Sequence, residues 1–169
     1  MALIDSEGTR FLEFVAIAMI PLAYVLGAVP SGYLIGKLSK GIDIREHGSG
    51  KTGMSNVLRV VGKKAAFVVL VSDCLKGALA VILVQMLTDS SVFLVAVATA
   101  VLVGHNYSIF IRFHGGAGVL TGVGTLFAFI PVAGVMAALV GGLAILLFRY
   151  MSLGSLSGTL AALATAAYL

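Results

Sequence analysis

The most restrictive feature of this chain is where its charges are missing. Phe14–Gly36 runs 23 residues without a formal charge, Ser90–Ile111 runs 22, Val119–Phe148 runs 30 and Tyr150–Leu169 runs 20. Ala65–Leu87 is apolar apart from Asp73 and Lys76. About 20 mostly apolar residues cross the roughly 30 Å of hydrocarbon in a bilayer, so several such runs imply a polytopic membrane protein. In lipid only helices and closed barrels satisfy the backbone. Barrel strands alternate apolar and polar residues, whereas these runs are continuous. The predicted fold class is all-α, a single transmembrane helical bundle over residues 1–169. Composition agrees, with 60% hydrophobic and 11% charged residues and mean hydropathy +1.11, where a soluble domain carries about 25% charge. That excludes a cytosolic enzyme and a disordered chain, and Cys74, the sole cysteine, excludes a disulfide scaffold.

Val119–Phe148 would rise roughly 45 Å as one helix, too long for one span and too short for two full ones. Pro131 and Gly134 break it, which predicts a hairpin of helices at 119–130 and 132–148. Arg112 before it and Arg149 after it agree with an even number of crossings under the positive-inside tendency. Lys37–Lys64 holds seven of the eleven basic residues and is predicted to be cytoplasmic. Thr88–Ser91, with only Asp89, and the N-terminus, with Asp5, Glu7 and Arg10, are then outside. No basic stretch precedes the first apolar run, so it is a retained span and not a cleaved signal. Six segments are expected, at 11–36, 65–87, 91–111, 119–130, 132–148 and 152–169, in a multi-pass protein of the cell inner membrane.

The polar chemistry gathers in the loops. Around the first loop Gly48, Gly50 and Gly53 stand among Ser49, Ser55, Asn56 and the cations Arg45, Lys51 and Arg59. Glycines let backbone N–H groups close around an oxyanion, arginine binds phosphate in a fork, and Asn56 or Ser55 could cap the next helix. This favours a phosphate site over simple anchoring of anionic headgroups, which needs no glycines. Gly50-Lys51-Thr52 is not a Walker loop, because position 45 is Arg where the first glycine is required. The second loop, Gly104–Gly118, repeats the theme with His105, Arg112, His114, Gly115, Gly116 and Gly118. Asp73 and Lys76 share a face of the second span, roughly 14 and 18 Å along the helix from Lys64. Intramembrane charges suggest function, and a helix-locking pair and a substrate contact are equally open here. No His precedes Asp by five residues and no Gly-x-Ser-x-Gly elbow exists. Three scattered histidines make no metal site, and no cofactor or nucleic-acid partner is expected.

In these loops the sequence resembles the bacterial membrane glycerol-3-phosphate acyltransferases that use acyl phosphate, the PlsY type. The matching stretches are Gly27–Lys37 with its Ser31-Gly32-Tyr33, Gly41–Arg59, Asp73–Gly77, Gly104-His105, Gly115–Thr121 and Arg149–Leu153 with its Ser152. The resemblance covers nearly all of the chain after residue 20. It implies acyl transfer from acyl phosphate to the 1-hydroxyl of glycerol 3-phosphate, giving lysophosphatidate and phosphate in phospholipid synthesis, with membrane lipids around the protein. It implies substrate or phosphate contacts at Ser31, Arg45, Gly48, Ser49, Gly50, Lys51, Gly53, Ser55, Asn56, Arg59, Asp73, Lys76, His105, Gly115, Gly116, Gly118 and Ser152, without singling out a catalytic group. The chain departs from the pattern at Lys51 (Asn in the family), Met54 (Ala), Ser55 (Thr), Ser108 (Pro) and Ala117 (Lys). The family continues for one more helix, so the chain is expected to be C-terminally incomplete relative to it. The alternatives are a non-catalytic or truncated paralogue that binds phosphate or lipid, and a small anion transporter. The last predicts an inverted internal repeat, and none is visible in the sequence.

Overall fold

The structure, a computed structural model, describes residues 6–169, with side chains from Phe14 onward. The outside placement argued from Asp5, Glu7 and Arg10 rests on side chains outside the described residues. Among the described residues eight α-helices follow one another: α1 (Ser6–Ala28), α2 (Ser31–Lys40), α3 (Met54–Val60), α4 (Lys63–Gln85), α5 (Ser91–Asn106), α6 (Val119–Phe129), α7 (Pro131–Phe148) and α8 (Met151–Tyr168). Two single 3-10 turns, Ile44–Glu46 and Ile109–Ile111, lie in the two polar loops. The molecule is a helical integral membrane protein. Four stretches are long and apolar enough to span a bilayer: Phe14–Lys40, Lys63–Gln85, Ser91–Ile111 and Pro131–Phe148.

All six expected apolar segments are helical, and only the first differs from expectation. That segment is broken. Pro30 has no N–H and disfavours helix at Val29, so the chain leaves α1 and restarts as α2. The fourth, α6, is short as expected, with 11 residues rising about 16 Å, roughly half the hydrocarbon thickness. The break between α6 and α7 falls where Pro131 predicts it, with Pro131 at the start of α7, a position that needs no N–H.

Small residues bring the helices into close contact. Leu139, Leu143, Leu146, Leu147, Leu156 and Leu160 point outward, as lipid-facing side chains do. Lipid is as apolar as leucine, so association depends on close backbone approach at small residues. Two helix pairs show this reciprocally. In α1/α5, Gly27 lies against the Val101 carbonyl and Gly104 against the Tyr24 carbonyl. In α4/α6, Gly77 lies against the Thr121 carbonyl and Gly124 against the Cys74 carbonyl. A methyl at any of the four would run into that carbonyl. In α7/α8, Gly141 packs against Gly154 and Gly158. Helix α4 is the hub, touching α1, α2, α3, α5 and α6. The first loop is pinned to it by Ile44 and Val57, both fully buried against Ala66 and Val69.

Candidate functional site

The break at Pro30 creates a problem that the fold solves with charge. Helix α1 ends with the Ala28 carbonyl lacking a helix partner, which is costly in lipid, while the Val29 carbonyl accepts the Ser31 amide at 3.1 Å. Ser108 Oγ donates to the Ala28 carbonyl, and Lys76 Nζ donates to the Val29 carbonyl at 3.1 Å. The Lys76 charge is met by Asp73, with Nζ 2.9 Å from Oδ1. Ser31 Oγ, at the start of α2, donates to the same carboxylate oxygen. His105 Nδ1 lies 3.7 Å from it and 3.1 Å from Thr121 Oγ1. Ser31, Asp73, Lys76, His105 and Thr121 are all buried, and together they tie α2, α4, α5 and α6. Gly116 packs on the Nε2 edge of the His105 ring, where a side chain would collide. The Gly115 and Gly116 amides donate to the Asn106 and His105 carbonyls at 3.1 and 3.2 Å.

The first loop is shaped around one side chain. Asn56 is 1% exposed. Its Nδ2 donates to the carbonyls of Ile44, His47 and Lys51 at 3.2, 3.0 and 2.9 Å, and its Oδ1 accepts from the Ser49 amide at 2.9 Å. It therefore does not cap α3, contrary to expectation. The N-cap is Gly53, without a side-chain bond, and Ser55 lies half-buried in the first turn. Gly48 (φ 61) and Gly50 (φ 71) take left-handed backbone that side chains resist.

Between the loops lies a polar cleft of about 670 Å³, lined by Tyr33, Asp43, Arg45, Glu46, Gly50, Phe110, Ile111, Arg112 and His114. Arg45 braces it. Nε and Nη2 donate to Asp43 Oδ1 and Oδ2 at 3.0 and 2.7 Å, and Nη1 donates to the Ile111 carbonyl of the other loop at 3.0 Å. The guanidinium stands 5.1 Å from the centre of the Tyr33 ring. Arginine has five N–H bonds; three are committed here, which leaves two. The hydrogen bond from Arg45 lowers the Asp43 carboxyl pKa to about 2, and the same contact raises that of Arg45. Tyr33, Phe110 and Ile111 also line an apolar slot of about 310 Å³ with Val29, Pro30 and Leu34, so the polar cleft continues into a greasy one.

Of the residues implied by sequence, Arg45 and Gly50 line this cleft. Gly48, Ser49, Gly53 and Asn56 shape the loop beside it. Ser31, Asp73, Lys76 and His105 form the buried cluster behind it, on which Gly115 and Gly116 rest. Gly118 (φ 74) caps α6. Lys51, Arg59 and Ser152 are exposed and are not among the cleft's lining residues. Sequence reasoning overlooked Tyr33, Asp43, Glu46 and Phe110 in the cleft and Thr121 in the cluster. The Asp-x-Arg spacing of Asp43 and Arg45 was the available signal for one of them. Among the described residues, no group of three or more His, Cys, Asp or Glu could hold a metal ion.

Fold and cleft define an integral membrane protein with a charged site opening onto an apolar slot. The family model described as glycerol-3-phosphate acyltransferase matches residues 17–169. A glycerol-3-phosphate acyltransferase of Synechococcus elongatus is 44% identical over 157 residues, covering 88% of this chain and 74% of its own. One of Myxococcus xanthus is 42% identical over 151 residues, covering 89% of this chain and 79% of its own. The crystal structure of PlsY, an integral membrane glycerol 3-phosphate acyltransferase, in its glycerol 3-phosphate form is similar with TM-score 0.81 and 39% identity, over 88% of this chain and 74% of that one. Its lysophosphatidic acid form gives TM-score 0.79 at 38% identity over the same shares. The chain belongs to the glycerol-3-phosphate acyltransferase family.

Proposed function

We propose that this protein transfers an acyl group from acyl phosphate to the 1-hydroxyl of glycerol 3-phosphate at the cytoplasmic face of the membrane. The hydroxyl oxygen attacks the acyl carbon, an ester bond forms and the acyl–oxygen bond to phosphate breaks. The proton leaves with the departing phosphate, so the products are lysophosphatidate and inorganic phosphate. The observation that carries this reading is the junction of the charged cleft with the apolar slot at Tyr33, Phe110 and Ile111. One side suits a phosphate headgroup and the other an acyl chain.

An acyl phosphate is already activated, so holding the two reactants together and balancing charge supplies most of what the chemistry needs. No protein nucleophile is required. Arg45, with two N–H bonds to spare and its plane fixed by Asp43 and Tyr33, is our first contact for a substrate phosphate. The Asn56-built loop holds Gly50 at the same wall, and Gly115–Gly118 carries the turn that ends the second loop. The predicted cytoplasmic side of both loops agrees with a water-soluble acceptor. The test is a steady-state assay of the purified protein with acyl phosphate and glycerol 3-phosphate. The expected result is release of inorganic phosphate that depends on both substrates and matches lysophosphatidate formed. Phosphate release independent of glycerol 3-phosphate, or none, overturns the reading.

A further inference from the structure

The second loop holds its tip in an unusual shape. Arg112 (φ 55) and Phe113 (φ 62) are consecutive non-glycine residues in left-handed backbone, a conformation that costs an L-residue free energy each time it is used. The turn is held by the Phe113 amide on the Ser108 carbonyl at 2.8 Å and by His114 Nδ1, which donates to the Arg112 carbonyl at 2.6 Å. Nothing in the packing explains an arginine there. Arg112 is exposed, and among the described residues its side chain makes no hydrogen bond or ion pair. It lines the polar cleft. The other cleft arginine is neutralised by Asp43, and Glu46 lines the same wall without pairing with Arg112. Without Arg112 the cleft would hold two carboxylates against one arginine and repel an anion. With it the cleft's formal charges balance, and one guanidinium is left with all five donors uncommitted among the described residues.

We infer that Arg112 is an anion-binding residue of the cleft, kept in strained backbone because its guanidinium contacts the phosphate of the water-soluble substrate. This rests on the proposed reaction for the identity of that substrate, glycerol 3-phosphate. The role also accounts for Ala117, where the resembled family carries a lysine: the cation comes from five residues earlier in the same loop.

The test compares Arg112→Gly, which relieves the strain, with Arg112→Lys, which keeps both strain and charge. Melting temperature, KM and kcat are measured for each, and glycerol 3-phosphate binding is titrated without acyl donor. Arg112→Gly is expected to raise KM and the dissociation constant tenfold or more while the melting temperature holds or rises. Arg112→Lys is expected to recover most of the affinity. Affinity within twofold of the parent in Arg112→Gly overturns the inference, as does a fall in melting temperature that accounts for lost activity, or a lysine variant no better than glycine. A parent that binds glycerol 3-phosphate through Arg112 without turnover overturns the reaction and leaves the inference standing. Turnover insensitive to Arg112 does the reverse, and a parent with neither binding nor turnover overturns both.

Discussion

Among the described residues, two carboxylate–cation pairs of nearly equal length sit in very different surroundings. Asp73–Lys76 closes to 2.9 Å with side chains 2% and 7% exposed, while Asp43–Arg45 closes to 2.7 Å with side chains 14% and 27% exposed. The buried pair makes its contacts inside the fold. Lys76 donates to the Val29 carbonyl at the helix break, Asp73 accepts Ser31, and His105 stands behind them. The interfacial pair keeps something in reserve, since Arg45 retains two donors facing a cleft. Distance alone does not separate a structural ion pair from one that serves a site. The number of uncommitted donors does, and so does access to water.

The comparison breaks most visibly by removing one member of the buried pair. Asp73→Ala leaves the ammonium of Lys76 without its counter-charge, and an orphaned buried charge costs about 3–5 kcal/mol. The expected outcome is a large fall in melting temperature in detergent. The double variant Asp73→Asn with Lys76→Met should regain part of that loss, because the charge is gone as well. Any Asp73→Ala protein that remains folded should keep its KM for glycerol 3-phosphate near the parent's. A normal melting temperature together with a raised KM would move Asp73 from the fold to the site.

A middle-sized effect is expected at Asn56. Removing its amide leaves the carbonyls of Ile44, His47 and Lys51 and the Ser49 amide without their partner, and each such group costs about 1–3 kcal/mol where water cannot replace it. The loop faces water, so the loss should sit near the low end, about 2 kcal/mol in total. Asn56→Ala should raise KM more than it lowers kcat, because the wall carrying Gly50 loosens while the acyl slot stays intact. Equal loss in both constants would place Asn56 in the chemistry itself.

Much of this architecture was legible from charge-free runs and the break at Pro131 and Gly134. Six apolar segments become helix, and Pro131 starts α7 as its chemistry requires. Pro30 was inside a run that hydropathy alone reads as one span, and only backbone bonding shows the break. Asn56 looked like a cap because it stands near a helix start, yet its amide turns back to four loop groups, a long-range choice no local pattern encodes. His105 and Arg112 lie in one loop with similar signals. Packing buries the first under Gly116 and leaves the second exposed in left-handed backbone, which the sequence of a non-glycine residue gives no reason to expect.

The smallest and most specific prediction concerns pH at the interfacial pair. The Asp43 carboxyl is held down to about 2 from the ordinary 3.8, chiefly by the Arg45 hydrogen bond. A depressed folded-state pKa adds stability that is fully present above the unfolded value and lost as pH falls through the folded one. The pair's contribution should therefore be constant from neutral pH down to about 4 and vanish toward 2. Its size is modest, because partly exposed ion pairs contribute about 0.2–1 kcal/mol. Parent and Asp43→Asn melting curves should stay parallel at pH 5–8, with the parent slightly more stable, and converge below pH 4. Activity should respond differently from stability. Asparagine still accepts one bond from Arg45 but no longer neutralises it, so the cleft becomes more positive and binds phosphate no more weakly, while the guanidinium loses its fixed plane. We expect KM for glycerol 3-phosphate to hold or fall and kcat to drop a fewfold. A raised KM with unchanged kcat would mean that Asp43 orients the phosphate contact itself and not the reacting geometry beyond it.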